Sequence, residues 1–184
     1  MTWIQTYGGQ QFWVFQPHAD EVDPRDIAHA LSNLCRFNGH CDEFYSVAQH
    51  SLHVSRLLEA DGHGADVQLW GLLHDAAEAY IGDMIRPIKL SQHMLAYCAM
   101  EKRIMAVITE RFGLPSEQPD VVGVADNKAL ATEARDLLKP PPVPWGKLPE
   151  PDVEIIKPLV PGAARASFAE RLAQIEQMRR RVTA

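Results

Sequence analysis

Placed on a wheel at about 100° per residue, Trp70 to Ile81 sorts into two apolar flanks and one narrow polar strip. Trp70, Leu73, Ala77, Tyr80 and Ile81 gather on one side, and Leu72, Ala76 and Ala79 on another. Between them fall His74, Glu78 and, at the edge, Asp75. A helix apolar nearly all round is a buried helix, so this strip faces a lined interior. Ionisable groups are costly to bury unless they are paired, hydrogen-bonded or bound to a metal. A His–Glu pair one turn apart that satisfies itself is one account of the strip.

The pattern recurs in two more segments. In SVAQHSLHVSRLLEA, Val47, Val54, Leu57 and Leu58 define the core side; His50 points into its middle and His53 sits at its margin. Alone, His50 reads as a hydrogen-bonded core histidine. In VVGVADNKALATEARDLL, Asp126 shares a stripe with Val122, Ala129, Leu130 and Leu137, while Lys128 and Arg135 face away. A carboxylate on an apolar stripe is harder to dismiss, because an unpaired buried charge is strongly destabilising. Three helices thus direct potential ligands inward: His50, His74, Asp75 and Asp126. Two imidazoles and two carboxylates suit one divalent ion of intermediate hardness, such as Mn, Co, Fe, Ni or Zn, with Mg a further candidate. An octahedral shell would leave room for water and a substrate oxygen.

The remaining pattern predicts the frame around these helices. β-formers on either side of Gly8-Gly9 in TWIQTYGGQQFWVF predict a small hairpin. Asp23-Pro24 reads as an N-cap followed by Pro at the first helical position, opening a helix through RDIAHALSNLCRF. A loop, NGHCDEFY, leads to Ser46–Gln49, which has the form of a capping box. Helices are expected at about 66–81, 91–112 and 117–138, with DMIRPIK a turn interrupted by Pro87. The segment 139–151, KPPPVPWGKLPEP, is an extended irregular loop. An amphipathic helix at about 163–181 ends on three arginines, favourably placed against its dipole. The expected class is all-α, a helical bundle with a small N-terminal β-hairpin. It forms one domain over 1–184, with the metal-site core at about 26–138.

Composition narrows the function. The 184 residues suffice for one real core. A net charge of −6 argues against a nucleic-acid polymer as partner, although a small anion held by a few local cations remains open. Cys35, Cys41 and Cys98 form no CxxC pair, which points to reduced thiols and a cytoplasmic location. With no cysteine among the inward-facing residues, a structural zinc site is not expected. MTWIQTYGGQQ has no signal-peptide pattern, and no apolar run reaches membrane-spanning length.

With LLHDAAEAYIGD preceded by SVAQHS and followed by VADNKAL, the chain resembles the HD superfamily of metal-dependent phosphohydrolases. The order H…HD…D matches His50, His74-Asp75 and Asp126. The resemblance extends to the branch of bacterial 5′-deoxynucleotidases and phage deoxynucleotide hydrolases. It is carried there by Arg36-Phe37 in LCRFNGH and by Glu78, Asp83, Pro87 and Lys89, over roughly residues 26–138. It implies that Arg36 holds a substrate phosphate and that Glu78 and Asp83 act as acid and base. Phe37, where the branch has a Trp, packs on sugar or base, and Lys89 neutralises phosphate. Gly82-Asp83 as a cap of the next short helix is the structural alternative for Asp83. The implied reaction is hydrolysis of a deoxyribonucleoside 5′-monophosphate. The alternatives are triphosphate release from a dNTP and, in another class, a catalytically silent nucleotide-binding or scaffold protein. A homo-oligomer is also implied.

Overall fold

The computed structural model describes residues 2–182, with Val182 described for its backbone alone; Met1, Thr183 and Ala184 of the expected 1–184 domain lie outside the described residues. A two-stranded antiparallel hairpin, β1 (Ile4–Gln5) and β2 (Gln11–Phe12), pairs Ile4 with Phe12 across the Gly8-Gly9 turn. Helices follow: α1 (Pro24–Asn33), α2 (Val47–Ala60), α3 (Ala65–Leu73), α4 (Glu78–Ile81), α5 (Arg86–Lys89), α6 (Leu95–Phe112), α7 (Asp120–Leu137) and α8 (Pro161–Val182). The mostly-α class with its N-terminal hairpin is as expected.

Helix α2 lies at the centre, packed by α1, α3, α7 and α8. Its Val47, Val54, Leu57 and Leu58 are buried, as are Val122, Ala129 and Leu137 of α7. At Gly71 helices α2 and α3 approach so closely that an added Cβ would overlap the side chain of Leu58 and lie 3.4 Å from the Ser55 backbone. Leu58 is itself buried and has little room to move. Gly71→Ala is therefore expected to destabilise the fold by about 1–3 kcal/mol through overpacking, seen as a lower denaturation midpoint at an unchanged slope.

Three expectations about element bounds are corrected. The single helix expected at about 66–81 is two, α3 and α4, joined by a tightened link. Through that link Ala76, Glu78, Ala79 and Tyr80 each donate to the carbonyl three residues back, at 2.8–3.2 Å. With three residues per turn, residues i and i+3 eclipse, so Glu78 stands over Asp75 and not over His74 as the regular wheel had it. The first helix stops at Asn33 and does not run through Phe37. Instead Arg36 N–H donates to the Tyr45 carbonyl at 2.9 Å and Val47 N–H to the Leu34 carbonyl at 3.0 Å, a bridge that draws the chain away from helix. The long helices expected at 91–112 and 117–138 begin a few residues later, at Leu95 and Asp120.

The Ser46 cap forms, accepting the Gln49 N–H at 3.2 Å, but Gln49 does not reach back to close the box. Its side chain instead holds the Lys157 carbonyl and the Leu159 N–H, each at 2.8 Å. Together with Thr132 and Asp136, which bond the N–H groups of Asp152 and Ile156, it lays the segment after the Pro-rich loop along α7 and the start of α2. Among the described residues no helix is long and apolar enough to cross a membrane.

Candidate metal centre

The three inward stripes meet. His50, on the fully buried face of α2, and His74, at the end of α3, bring their Nε2 atoms to 3.2 Å of each other. Asp75 Oδ2 lies 3.3 Å from His74 Nε2 and 3.6 Å from His50 Nε2. Asp126 Oδ1, from α7, lies 3.2 Å from His50 Nε2 and 3.9 Å from His74 Nε2. His50, His74 and Asp75 form a group able to hold a metal ion, and Asp126 stands beside both imidazoles. Around a small divalent cation with bonds of about 2.1 Å, adjacent donors sit about 3.0 Å apart in an octahedron and about 3.4 Å in a tetrahedron. The separations here fall in that neighbourhood.

The outer sides of the two rings explain why these atoms are available. His50 Nδ1 lies 2.6 Å from Glu133 Oε1, and His74 Nδ1 lies 2.8 Å from the Gly71 carbonyl. A carbonyl can only accept, so His74 Nδ1 carries the proton and Nε2 offers its lone pair. Glu133 sets His50 the same way. Two imidazole lone pairs 3.2 Å apart repel unless a proton or a cation lies between them, so the donor set fits a divalent ion and the outer partners orient it.

Glu133, fully buried, is the residue whose importance helical pattern understates. Its Oε1 takes His50, while its Oε2 accepts from Arg36 Nε at 3.1 Å and Nη2 at 3.0 Å. Its one signal in the sequence is its place on the Asp126 face of α7, two turns on; its partners are 97 and 83 residues away along the chain. Arg36 is thereby held by two of its nitrogens, and Nη1 stands 3.7 Å from Asp75. Phe37 and Asn38 follow it with φ of 54° and 52°, left-handed values that cost non-glycine residues about 1–2 kcal/mol each. This turn sets the Phe37 ring beneath the Arg36 guanidinium, 5.3 Å away, and 6.3 Å from the ring of Trp145 in the Pro-rich loop. Trp145 carries no sequence signal that could have paired it with Phe37.

The remaining candidates are placed less tightly. Glu78 is buried and its Oε2 has no hydrogen-bond partner. Asp83 caps nothing: the short helix that follows has Ile85 as its N-cap. Lys89 Nζ donates to Glu101 at 2.6 Å, and its charge interacts with Asp75 and Glu78. Arg86, in the short helix α5, brings Nη2 to 3.8 Å from Asp126 Oδ2.

Burial and charge divide the carboxyl groups into two kinds. Burial opposes ionisation of Asp75, but the imidazoles of His74 and His50 and the Arg36 charge outweigh it and hold Asp75 far below the usual range. The same opposition, with His50 as the favourable partner, holds Asp126 low. Glu78 goes the other way: burial, then the charges of Asp75 and Asp83, push it up to about 10. Asp83 is raised too, chiefly by burial, with Arg36 opposing. His50 is opposed by burial and by Arg36, yet Glu133 and Asp126 prevail and lift it to about 9. A proton there takes the place that a cation would fill.

No protein-family model matches the chain. It is 36 % identical over 137 residues to an uncharacterized protein of Rhodobacter capsulatus, RCAP_rcc00048, across 72 % of this chain and 69 % of that one. It is 38 % identical over 183 residues to the uncharacterized protein YfdR of Escherichia coli (strain K12), across 98 % of this chain and 99 % of that one. End-to-end similarity of that extent makes this chain a member of the YfdR family.

Proposed function

We propose that the protein is a cytoplasmic HD-type phosphohydrolase that uses one divalent cation to cleave a deoxyribonucleoside 5′-monophosphate to deoxynucleoside and phosphate. The observation that supports this most is the pair of His50 and His74 Nε2 atoms, 3.2 Å apart, flanked by Asp75 and Asp126 and locked from behind by Glu133 and Gly71. These four residues would hold the cation. When bound, it would supply Lewis-acid polarisation of a phosphoryl oxygen and a lowered pKa for water.

The other residues have roles that follow from their surroundings. Arg36 is preorganised by Glu133, and its Nη1, facing Asp75, is the donor left for a phosphate oxygen. Glu78, protonated at neutral pH by its burial and its acidic neighbours, is suited to give its proton to the 5′-oxygen as the P–O bond breaks. Asp83, raised chiefly by burial, would be the group that accepts a proton from the attacking water. Phe37 and Trp145 supply aromatic surface for sugar or base. Arg86 beside Asp126 adds a cation that phosphate can use. The exposed Ile88, Leu90 and Leu95 are apolar surface consistent with assembly of a homo-oligomer, which light scattering on the eluted protein would measure.

The test uses metal-stripped protein, with Mn, Co, Ni, Zn and Mg returned singly. Panels of dNMPs, NMPs and dNTPs are supplied, and products are separated by anion exchange. Nucleoside plus phosphate from dNMPs is the expected result. Triphosphate from a dNTP would replace this reading with dNTP hydrolysis, and no metal-dependent turnover of the panel would overturn both, leaving a different phosphoester substrate or a silent binding protein.

A further inference from the structure

Trp145 stands 50 % exposed in the Pro-rich segment 139–151. The start of that segment is held beside the Phe37 turn: Asp42 N–H donates to the Leu137 carbonyl at 2.9 Å, and Lys139 Nζ donates to Asp42 Oδ2 at 2.8 Å. Its far end is held on α7, where Asp152 N–H donates to Thr132 Oγ1 at 2.8 Å. Between these ties, residues 140–151 make no hydrogen bond among the described residues. Pro140, Pro141, Pro142 and Pro144 lead to the indole, and proline fixes φ, so the arm is stiff. Gly146, at φ 94°, turns the chain directly after it. Such an arm can swing about its ends without breaking a hydrogen bond.

The ring centroids of Trp145 and Phe37 lie 6.3 Å apart with their planes at 41°, an open wedge. A flat ring held between two others needs two stacking steps of about 3.4 Å each, about 6.8 Å in all. The wedge is short of that by about 0.5 Å. A small swing of the arm supplies the difference and brings the planes parallel. The wedge also adjoins the proposed phosphate donor, because the Arg36 guanidinium lies 5.3 Å from the Phe37 centroid. One nucleotide can therefore reach both, phosphate at Arg36 and base in the wedge.

We propose that Trp145 is the base-binding residue of this site. The nucleobase enters the wedge and stacks on the indole, with Phe37 against its other face, as the Pro-rich arm closes. This rests on the phosphohydrolase reading and narrows it: the substrate is selected for carrying a base, not for its sugar phosphate alone. Every base has a flat π-face, so the same contact serves purines and pyrimidines.

The test uses the full chain with Mn, Co or Zn returned, and two phosphonates in which CH2 replaces the 5′-oxygen, so that no P–O bond to the sugar can be cut. One is the analogue of dAMP and the other of 2-deoxyribose 5-phosphate, which has no base. Calorimetry reads both affinities. The wild type is expected to bind the dAMP analogue about 5- to 150-fold tighter than the sugar analogue. Trp145→Ala, at an exposed position without hydrogen bonds, should lose most of that margin, keep its affinity for the sugar analogue and keep its melting temperature. Trp145→Phe should restore most of the margin. Equal wild-type affinity for the two analogues overturns the proposal and leaves the phosphohydrolase reading standing. So does a Trp145→Ala protein that keeps the margin, or one that loses affinity equally for both. Binding of neither analogue to the wild type overturns the nucleotide reading and this proposal together.

Discussion

Glu133→Ala is expected to destabilise the protein by about 3–5 kcal/mol and to weaken divalent-metal binding about 10- to 100-fold. The carboxylate is fully buried and divides between two charged partners, His50 on one oxygen and Arg36 on the other. Removing it leaves a buried guanidinium without its counter-charge and an imidazole without the group that fixes its tautomer. Glu133→Gln should fall between, because one amide oxygen can serve only one of the two donors. Denaturant melts of metal-free protein give the first quantity, and calorimetric titration with Mn or Co gives the second. A loss below about 1 kcal/mol in Glu133→Ala, within the range of an exposed pair, would show that Arg36 and His50 find other partners.

The pH dependence of the metal-free protein follows from the same groups. Glu133 is held below its ordinary value: burial opposes this, and the charges of Arg36 and His50 prevail. Its contribution is therefore present above the ordinary carboxylate range and lost as pH falls through the lowered value. His50, raised from 6.5 to about 9, contributes fully below 6.5, and that contribution is lost as pH rises through about 9. The metal-free chain should be most stable near pH 5–6, roughly between these two ranges. Since binding at His50 displaces its proton, metal affinity should rise over the alkaline range where stability without metal falls.

Glu78→Gln should move activity and stability in opposite directions. If Glu78 is the proton donor to the leaving oxygen, turnover of a dNMP falls about 10²- to 10⁴-fold. Metal affinity should hold, because Glu78 is not among the donors. Glu78 is raised from 4.5 to about 10, so folding takes up a proton at neutral pH and the contribution of Glu78 to stability declines as pH climbs above 4.5. Gln has no such proton to take up. At about pH 8 the variant's metal-free melting temperature should rise by about 2–4 °C or more, the shift that about 1 kcal/mol gives a chain of this size. The gap should close toward pH 4.5. A variant with wild-type turnover would remove Glu78 from the chemistry, and one destabilised under the same alkaline conditions would show that its carboxyl is ionised and paired.

Whatever is signalled within a few neighbouring residues is legible without the fold. Asp23-Pro24 opens α1, Ser46 caps α2, Gly113 ends α6 in the left-handed conformation and Gly8-Gly9 turns the hairpin. The same holds for the inward stripes that single out His50, His74 and Asp126, since helical periodicity states which face is buried without stating what it meets. The meetings themselves come from packing. Arg36 finds Glu133 across 97 residues, and His50 finds it across 83. The link at 74–77 tightens, and His74 and Asp75 both come to His50, an arrangement absent from the wheel. Trp145 comes to Phe37 because Gln49, Thr132 and Asp136 pin the chain that follows the Pro-rich loop. Helical period and capping act within one turn, whereas charge pairing and ring contact depend on which distant turns the packing brings together.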